Sequence, residues 1–183
     1  MYPYHVLMLF LDGLDQMHRG EDYDLYWTQN SIVPTEKEYL NMIDASTFLP
    51  LVHLELENHF TLVGRYFQIR DDYQSLTSSE YIDTKGFCED LDEGKYSLLL
   101  IHSLQKGDPL IQGILQQRKI SGSLTKEMKQ IVLQRLKING SLDYTLSVIK
   151  ELYELIKEEL EALERETKKK NWILWRVLHQ LKV

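Results

Sequence analysis

Between Phe60 and Leu76 the apolar positions Leu62, Tyr66, Ile69, Tyr73 and Leu76 recur at the spacing of a helix with about 3.6 residues per turn. Gly64, Gln68, Asp71 and Ser75 form a second line nearly opposite. The segment is predicted to be a helix with two specified faces. One is a seam that packs; the other, small and polar with adjacent carboxylates, suits the wall of a cavity. Asp72 lies about 100° around the helix from Asp71, so the pair flanks that wall. An Asp pair on its own is most often a solvated surface feature.

Helical periodicity continues on both sides. Val6, Leu7, Phe10, Leu11 and Leu14 predict an amphipathic helix from Tyr4 to His18, ended or interrupted at Arg19-Gly20. Tyr23, Leu25, Tyr26 and Trp27 follow, and Thr35 with Glu38 forms a capping box that opens the next helix, which runs toward a break at Leu49-Pro50. A short helical piece is expected from Ser79 to Thr84, then a structured loop from Lys85 to Lys95. Ser97 to Gln105 reads as a buried helix stopped by Gly107. Helices are expected over Leu110 to Arg118, Thr125 to Ile138 and Leu142 to Glu166, with Ser141 as a cap. In the last of these, Ile149, Leu152, Ile156, Leu160 and Leu163 mark a stripe suited to closing a bundle. Lys168, Lys169 and Lys170 read as solvated cations matched to the helix dipole rather than as a lipid contact. A final helix, Trp172 to Leu181, presents Ile173, Leu174, Val177, Leu178 and Leu181. No strand pattern competes, so the class is all-α.

The 183 residues suit one domain, 1–183, with a substantial core. A net charge of -7 argues against a nucleic-acid partner, because phosphate-backbone binding needs a basic footprint. Any phosphate site must therefore be built locally. The apolar run Val6 to Leu11 is interrupted by Asp12 and is too short for a transmembrane segment. The single cysteine, Cys88, suits a reducing compartment, and a cytoplasmic protein is expected.

Several strings occur in an order that carries a resemblance. They are His18-Arg19-Gly20-Glu21-Asp22-Tyr23-Asp24-Leu25-Tyr26-Trp27, then Pro34-Thr35-Glu36 with Glu38-Tyr39-Leu40, and Phe67-Gln68-Ile69-Arg70-Asp71-Asp72-Tyr73. Lys85-Gly86-Phe87-Cys88-Glu89-Asp90-Leu91 with Glu93-Gly94-Lys95, and Gly140-Ser141-Leu142, follow. Together they resemble the trans-isoprenyl diphosphate synthases, in particular the C-terminal half of the fungal geranylgeranyl diphosphate synthases. The resemblance implies an isoprenoid-synthase-like helical bundle, N-terminally truncated. It implies a prenyltransferase of isoprenoid and terpenoid biosynthesis that joins isopentenyl diphosphate to an allylic diphosphate with Mg²⁺. Hard oxygen-bound cations and lysines suit that chemistry, since a leaving diphosphate gathers negative charge. By resemblance Asp71 and Asp72 would ligate Mg²⁺, and Gln68, Lys85, Lys95, Thr47 and Ser75 would contact the substrate diphosphate.

The sequence also departs from that pattern. Asp71-Asp72 is the only adjacent Asp pair, so the family's other aspartate-rich motif is absent. Ala45-Ser46-Thr47 stands where the family has Lys-Thr, Glu21 replaces a Gln, and Ser75 replaces an Asn or Asp. Two functional readings follow: a prenyltransferase or its metal-binding half, binding Mg²⁺ and diphosphate weakly with little turnover, or a non-catalytic relative, either an interaction subunit that pairs with an intact synthase or a degenerate copy without activity. Homo- and hetero-oligomers are both open, and exposed helix seams predict association.

Overall fold

The computed structural model describes residues 2–47, 57–78 and 88–182. Among them are α1 (Tyr2–Asn30), α2 (Glu36–Ser46), α3 (Glu57–Thr77), α4 (Glu89–Glu93), α5 (Leu98–Gln105), α6 (Pro109–Ser121), α7 (Lys126–Ile138), α8 (Ser141–Thr167) and α9 (Trp172–Gln180), and no strand. The centre is α5, whose Leu98, Leu99, Leu100, Ile101, Ser103 and Leu104 are all buried. A helix with so many apolar positions can only be satisfied inside a bundle, and α2, α3, α6, α7 and α8 surround this one. The predicted seam of α3 packs as expected: Tyr66, Ile69 and Leu76 are buried, and Leu62 and Tyr73 lean on the same core. Opposite it, Ile149, Leu152, Ile156 and Leu160 of α8 are buried, and α3 and α8 form a principal helix pair.

The capping box at Thr35 is present, with the Glu38 N–H donating to Thr35 Oγ1 and the Thr35 N–H donating to Glu38 Oε2. Asp108 caps α6 by accepting from the Leu110 and Ile111 N–H groups, and the buried carboxylate also holds Arg135 and Asn139. The Arg65 guanidinium binds Asp44 through two donors at 2.7 and 2.6 Å, fastening α3 to α2.

Three expectations are corrected. First, α1 does not stop at Gly20 but continues to Asn30. A Cβ on Gly20 would lie 2.1 Å from Ser46 Oγ and 2.9 Å from the Ser46 nitrogen, so this glycine is there to let α2 approach. Second, the stretch read as loop contains α4, started by Cys88 at φ 52° and stopped by Gly94 at φ 74°, with Leu91 buried as its anchor. Third, Gly140 at φ 67° is the N-cap of α8, and Ser141, already helical, shares a 2.9 Å hydrogen bond with His102 Nδ1. The predicted break at Leu49-Pro50, the piece from Ser79 to Thr84, and Lys85 lie outside the described residues.

Candidate functional site

Three helices and one connector line an open cavity of about 430 Å³. Gly20, Glu21, Asp24 and Leu25 of α1 occupy one helical face because the helix passes through Gly20 without a break. Tyr39, Met42 and Ser46 of α2 face them, Gln68 and Asp72 come from α3, and Lys95 and Tyr96 come from the connector between α4 and α5. The depth of the α1 and α2 wall is set by small residues: Gly20 meets Ser46 on one side of α2, and Gly64 of α3 meets Thr47 on the other.

Asp72 is the most elaborately held group. Tyr39 Oη donates to its Oδ2 at 2.7 Å, and Gln68 Nε2, one turn back on α3, donates to its Oδ1 at 2.8 Å. Burial pushes the carboxyl up from 3.8 to about 7; the charges of Asp90 and Asp71 push the same way, and the two hydrogen bonds oppose them. Tyr39 is buried, and burial together with the Asp72 charge raises its hydroxyl well above the ordinary value, so it remains a donor. Asp24 is also raised, first by burial and then by Glu93 and Asp90, with the Lys95 ammonium pulling it back. Lys95 Nζ lies 2.6 Å from Glu93 Oε2, and that bond holds its proton more firmly than usual.

The connector is clamped from behind. Arg118 of α6 donates to the backbone oxygens of Asp92 and Glu93, Lys129 of α7 pairs with the Asp92 carboxylate, and Thr28 Oγ1 donates to Gly94 O. A Cβ on Gly94 would lie 2.0 Å from the Arg118 guanidinium, so both space and a positive φ require glycine there.

Gln68, Asp72 and Lys95 thus share one cavity. Asp71 is half-buried on the neighbouring face of α3 and is not among the lining residues. Ser75 turns its hydroxyl back to Asp72 O, and Thr47 turns its own to Ile43 O while its side chain packs on Gly64. Lys85 lies outside the described residues. Periodicity alone missed Asp24 and Tyr39, although both stand inside strings that carry the resemblance. Spacing would have placed Asp24 on the Gly20 face had the helix been continued through that glycine.

Residues 50–133 match the polyprenyl synthetase family profile. Geranylgeranyl pyrophosphate synthase 3 of Zymoseptoria tritici is 42% identical over 191 residues, covering 94% of this chain and 53% of the relative. The chain matches the C-terminal part of polyprenyl synthetases. Preasperterpenoid A synthase PvPS of Talaromyces verruculosus is 44% identical over 193 residues, covering 97% of this chain and 25% of that protein. The chain therefore spans from about a quarter to about half of the length of these relatives. The crystal structure of geranylgeranyl pyrophosphate synthetase from Pyrococcus horikoshii superimposes with a TM-score of 0.65 at 22% identity, over 86% of this chain and 53% of that one. That likeness identifies the fold as the all-α isoprenoid synthase bundle of this family.

Among the described residues no group of three or more His, Cys, Asp or Glu side chains is arranged to hold a metal ion. The donor set nevertheless has the chemistry of a hard-cation site. Oxygen donors at Glu21, Asp24 and Asp72 line one hollow, and Asp72 carries a pKa of about 7 that a cation would lower. Mg²⁺ commonly takes only one or two protein carboxylates and completes its shell from water and phosphate oxygens, so an incomplete protein shell fits that ion.

Proposed function

We propose that this polyprenyl synthetase relative supplies the Mg²⁺ and diphosphate half of a prenyltransferase site, serving the condensation of isopentenyl diphosphate with an allylic diphosphate in terpenoid biosynthesis. The observation that carries the reading is the convergence of Gln68, Asp72 and Lys95 on a cavity that is otherwise acidic. A diphosphate entering past Glu21, Asp24 and Asp72 would be repelled unless a divalent cation lay between them. Mg²⁺, when bound, supplies the positive charge that steadies the departing diphosphate. Asp72, with Asp71 beside it on α3, would hold that ion. Tyr39 and Gln68 fix the Asp72 carboxyl so that it need not reorganise when charge develops. Lys95, presented by the clamped connector, adds a fixed cation at the rim, and Met42 and Leu25 give the hollow an apolar side. A reducing compartment such as the cytoplasm suits the buried free thiol of Cys88.

A second reading is favoured by two particulars. Ser46 lines the cavity where the resemblance has a lysine, and Lys95 is already paired with Glu93. Both lower the hold on a phosphate and suit a non-catalytic subunit, homomeric or heteromeric, of an intact synthase. Incubation with farnesyl diphosphate, isopentenyl diphosphate and Mg²⁺, alone and with a full-length geranylgeranyl diphosphate synthase, separates the two. Product from the chain alone supports the first reading. A change in the synthase's size in solution without new product supports the second.

A further inference from the structure

The surface formed by the α8–α9 turn and the outer side of α9 differs from the rest of this acidic chain. From Lys168 to Lys182 the cations are Lys168, Lys169, Lys170, Arg176 and Lys182, and there is no Asp or Glu, although the whole chain carries a net charge of -7. Trp175, Leu178 and Leu181 pack on the core, and Leu174 and Val177 line an apolar hollow that α9 shares with α3 and α8. Trp172 and Ile173 stand outward at 68% and 76% exposure, with Arg176 exposed beside them. Helical spacing puts Trp172, Ile173 and Arg176 on one face, so Ile173 of the apolar stripe expected of α9 meets solvent beside an exposed indole.

This outward face is held rather than dangling. Lys168 takes φ 54° and ends α8, and Asn171 caps α9 by accepting from the Leu174 N–H. Glu164 accepts from the Asn171 N–H at 2.7 Å and from the Trp175 indole at 2.8 Å, which pins the turn. Lys170 Nζ lies 4.4 Å above the Trp172 ring, so a cation and an indole are offered together.

We propose that this face docks the protein reversibly on an anionic lipid bilayer, with Lys168 to Lys170 and Arg176 among the headgroups and Trp172 and Ile173 at the acyl boundary. Charge complementarity selects an anionic surface, and indole with basic side chains beside exposed aliphatic ones is the pairing that the bilayer interface favours. No described helix is long and apolar enough to cross a membrane, so the contact is peripheral. The inference stands apart from the diphosphate reading and does not need the chain to be an enzyme.

The test is flotation of the whole chain with vesicles of phosphatidylcholine alone or mixed with phosphatidylserine. The expected result is binding to the anionic vesicles only, weakened by salt. Neutralising the three lysines together (K168Q, K169Q, K170Q) should weaken it roughly 100-fold, at about fivefold per cation. W172S with I173S should weaken it as well, and because these side chains are exposed the far-ultraviolet circular dichroism of both variants should match the parent. Equal partition onto both vesicle types, or none onto either, overturns the proposal. So does a self-association or an acidic-protein complex that these substitutions abolish while vesicle binding persists.

Discussion

Replacing Asp72 by Asn removes a carboxyl whose proton affinity the site displaces strongly. In the folded protein its carboxyl titrates at about 7, against an ordinary value of 3.8. Between those values the folded state keeps a proton that the unfolded state has released. Raising the pH therefore costs stability until about 7, above which this contribution is constant. From pH 5.5 to pH 8 the loss is about 1.5 pH units at about 1.4 kcal/mol each, or about 2 kcal/mol. Asn is neutral throughout and keeps the local bonding: Gln68 can still donate to its oxygen, and the Tyr39 hydroxyl can turn to accept from its amide. Urea unfolding with EDTA at the two pH values measures the effect in each protein. The difference between parent and variant cancels the contributions of groups common to both. Asp72→Asn should gain about 2 kcal/mol on the parent between pH 5.5 and pH 8. Parallel pH dependences would show that Asp72 ionises normally and that the buried, acid-crowded cavity does not exist.

Tyr39→Phe removes one of the two donors that lower the Asp72 pKa, so the carboxyl should titrate still higher, as a carboxyl-resolved NMR titration would read; no upward movement would discount the 2.7 Å bond. Gly20→Ala should destabilise the fold by about 1–3 kcal/mol through overpacking against Ser46, and Ser46→Gly in the same chain should restore most of it, both measured by urea unfolding. Asp92→Ala removes the Lys129 ion pair and the acceptor for the Leu124 N–H, costing about 2–3 kcal/mol, with partial recovery on adding Lys129→Met.

Much of this architecture could be read from periodicity and capping. The run Leu98 to Leu104 is apolar except for His102 and Ser103, and it is the buried centre. Thr35 and Glu38 announced the start of α2, and the seam of α3 is its packed side. The failures share a cause. Gly20 and Ile173 were judged by intrinsic preference, whereas tertiary neighbours decide them: α2 needs a residue without a Cβ at Gly20, and the turn pinned by Glu164 leaves Ile173 outside. At the site, Gln68, Asp72 and Lys95 were legible because they stand in strings with a family resemblance. Asp24 and Tyr39 stand in such strings too but carried no assigned role, because each matters through a partner distant in sequence: Lys95 for Asp24, Asp72 for Tyr39. The clamp on the connector, with Arg118 reaching back to Asp92 and Glu93, has no sequence signal at all.

The central claim is that an acidic hollow holds a diphosphate only through a divalent cation. Isothermal titration of inorganic diphosphate into the chain, with Mg²⁺ and then with EDTA, tests it most directly. The account predicts binding that appears only with Mg²⁺ and falls at least tenfold in Asp72→Ala and in Lys95→Ala. Binding of equal strength in EDTA, or unchanged by both substitutions, would contradict it.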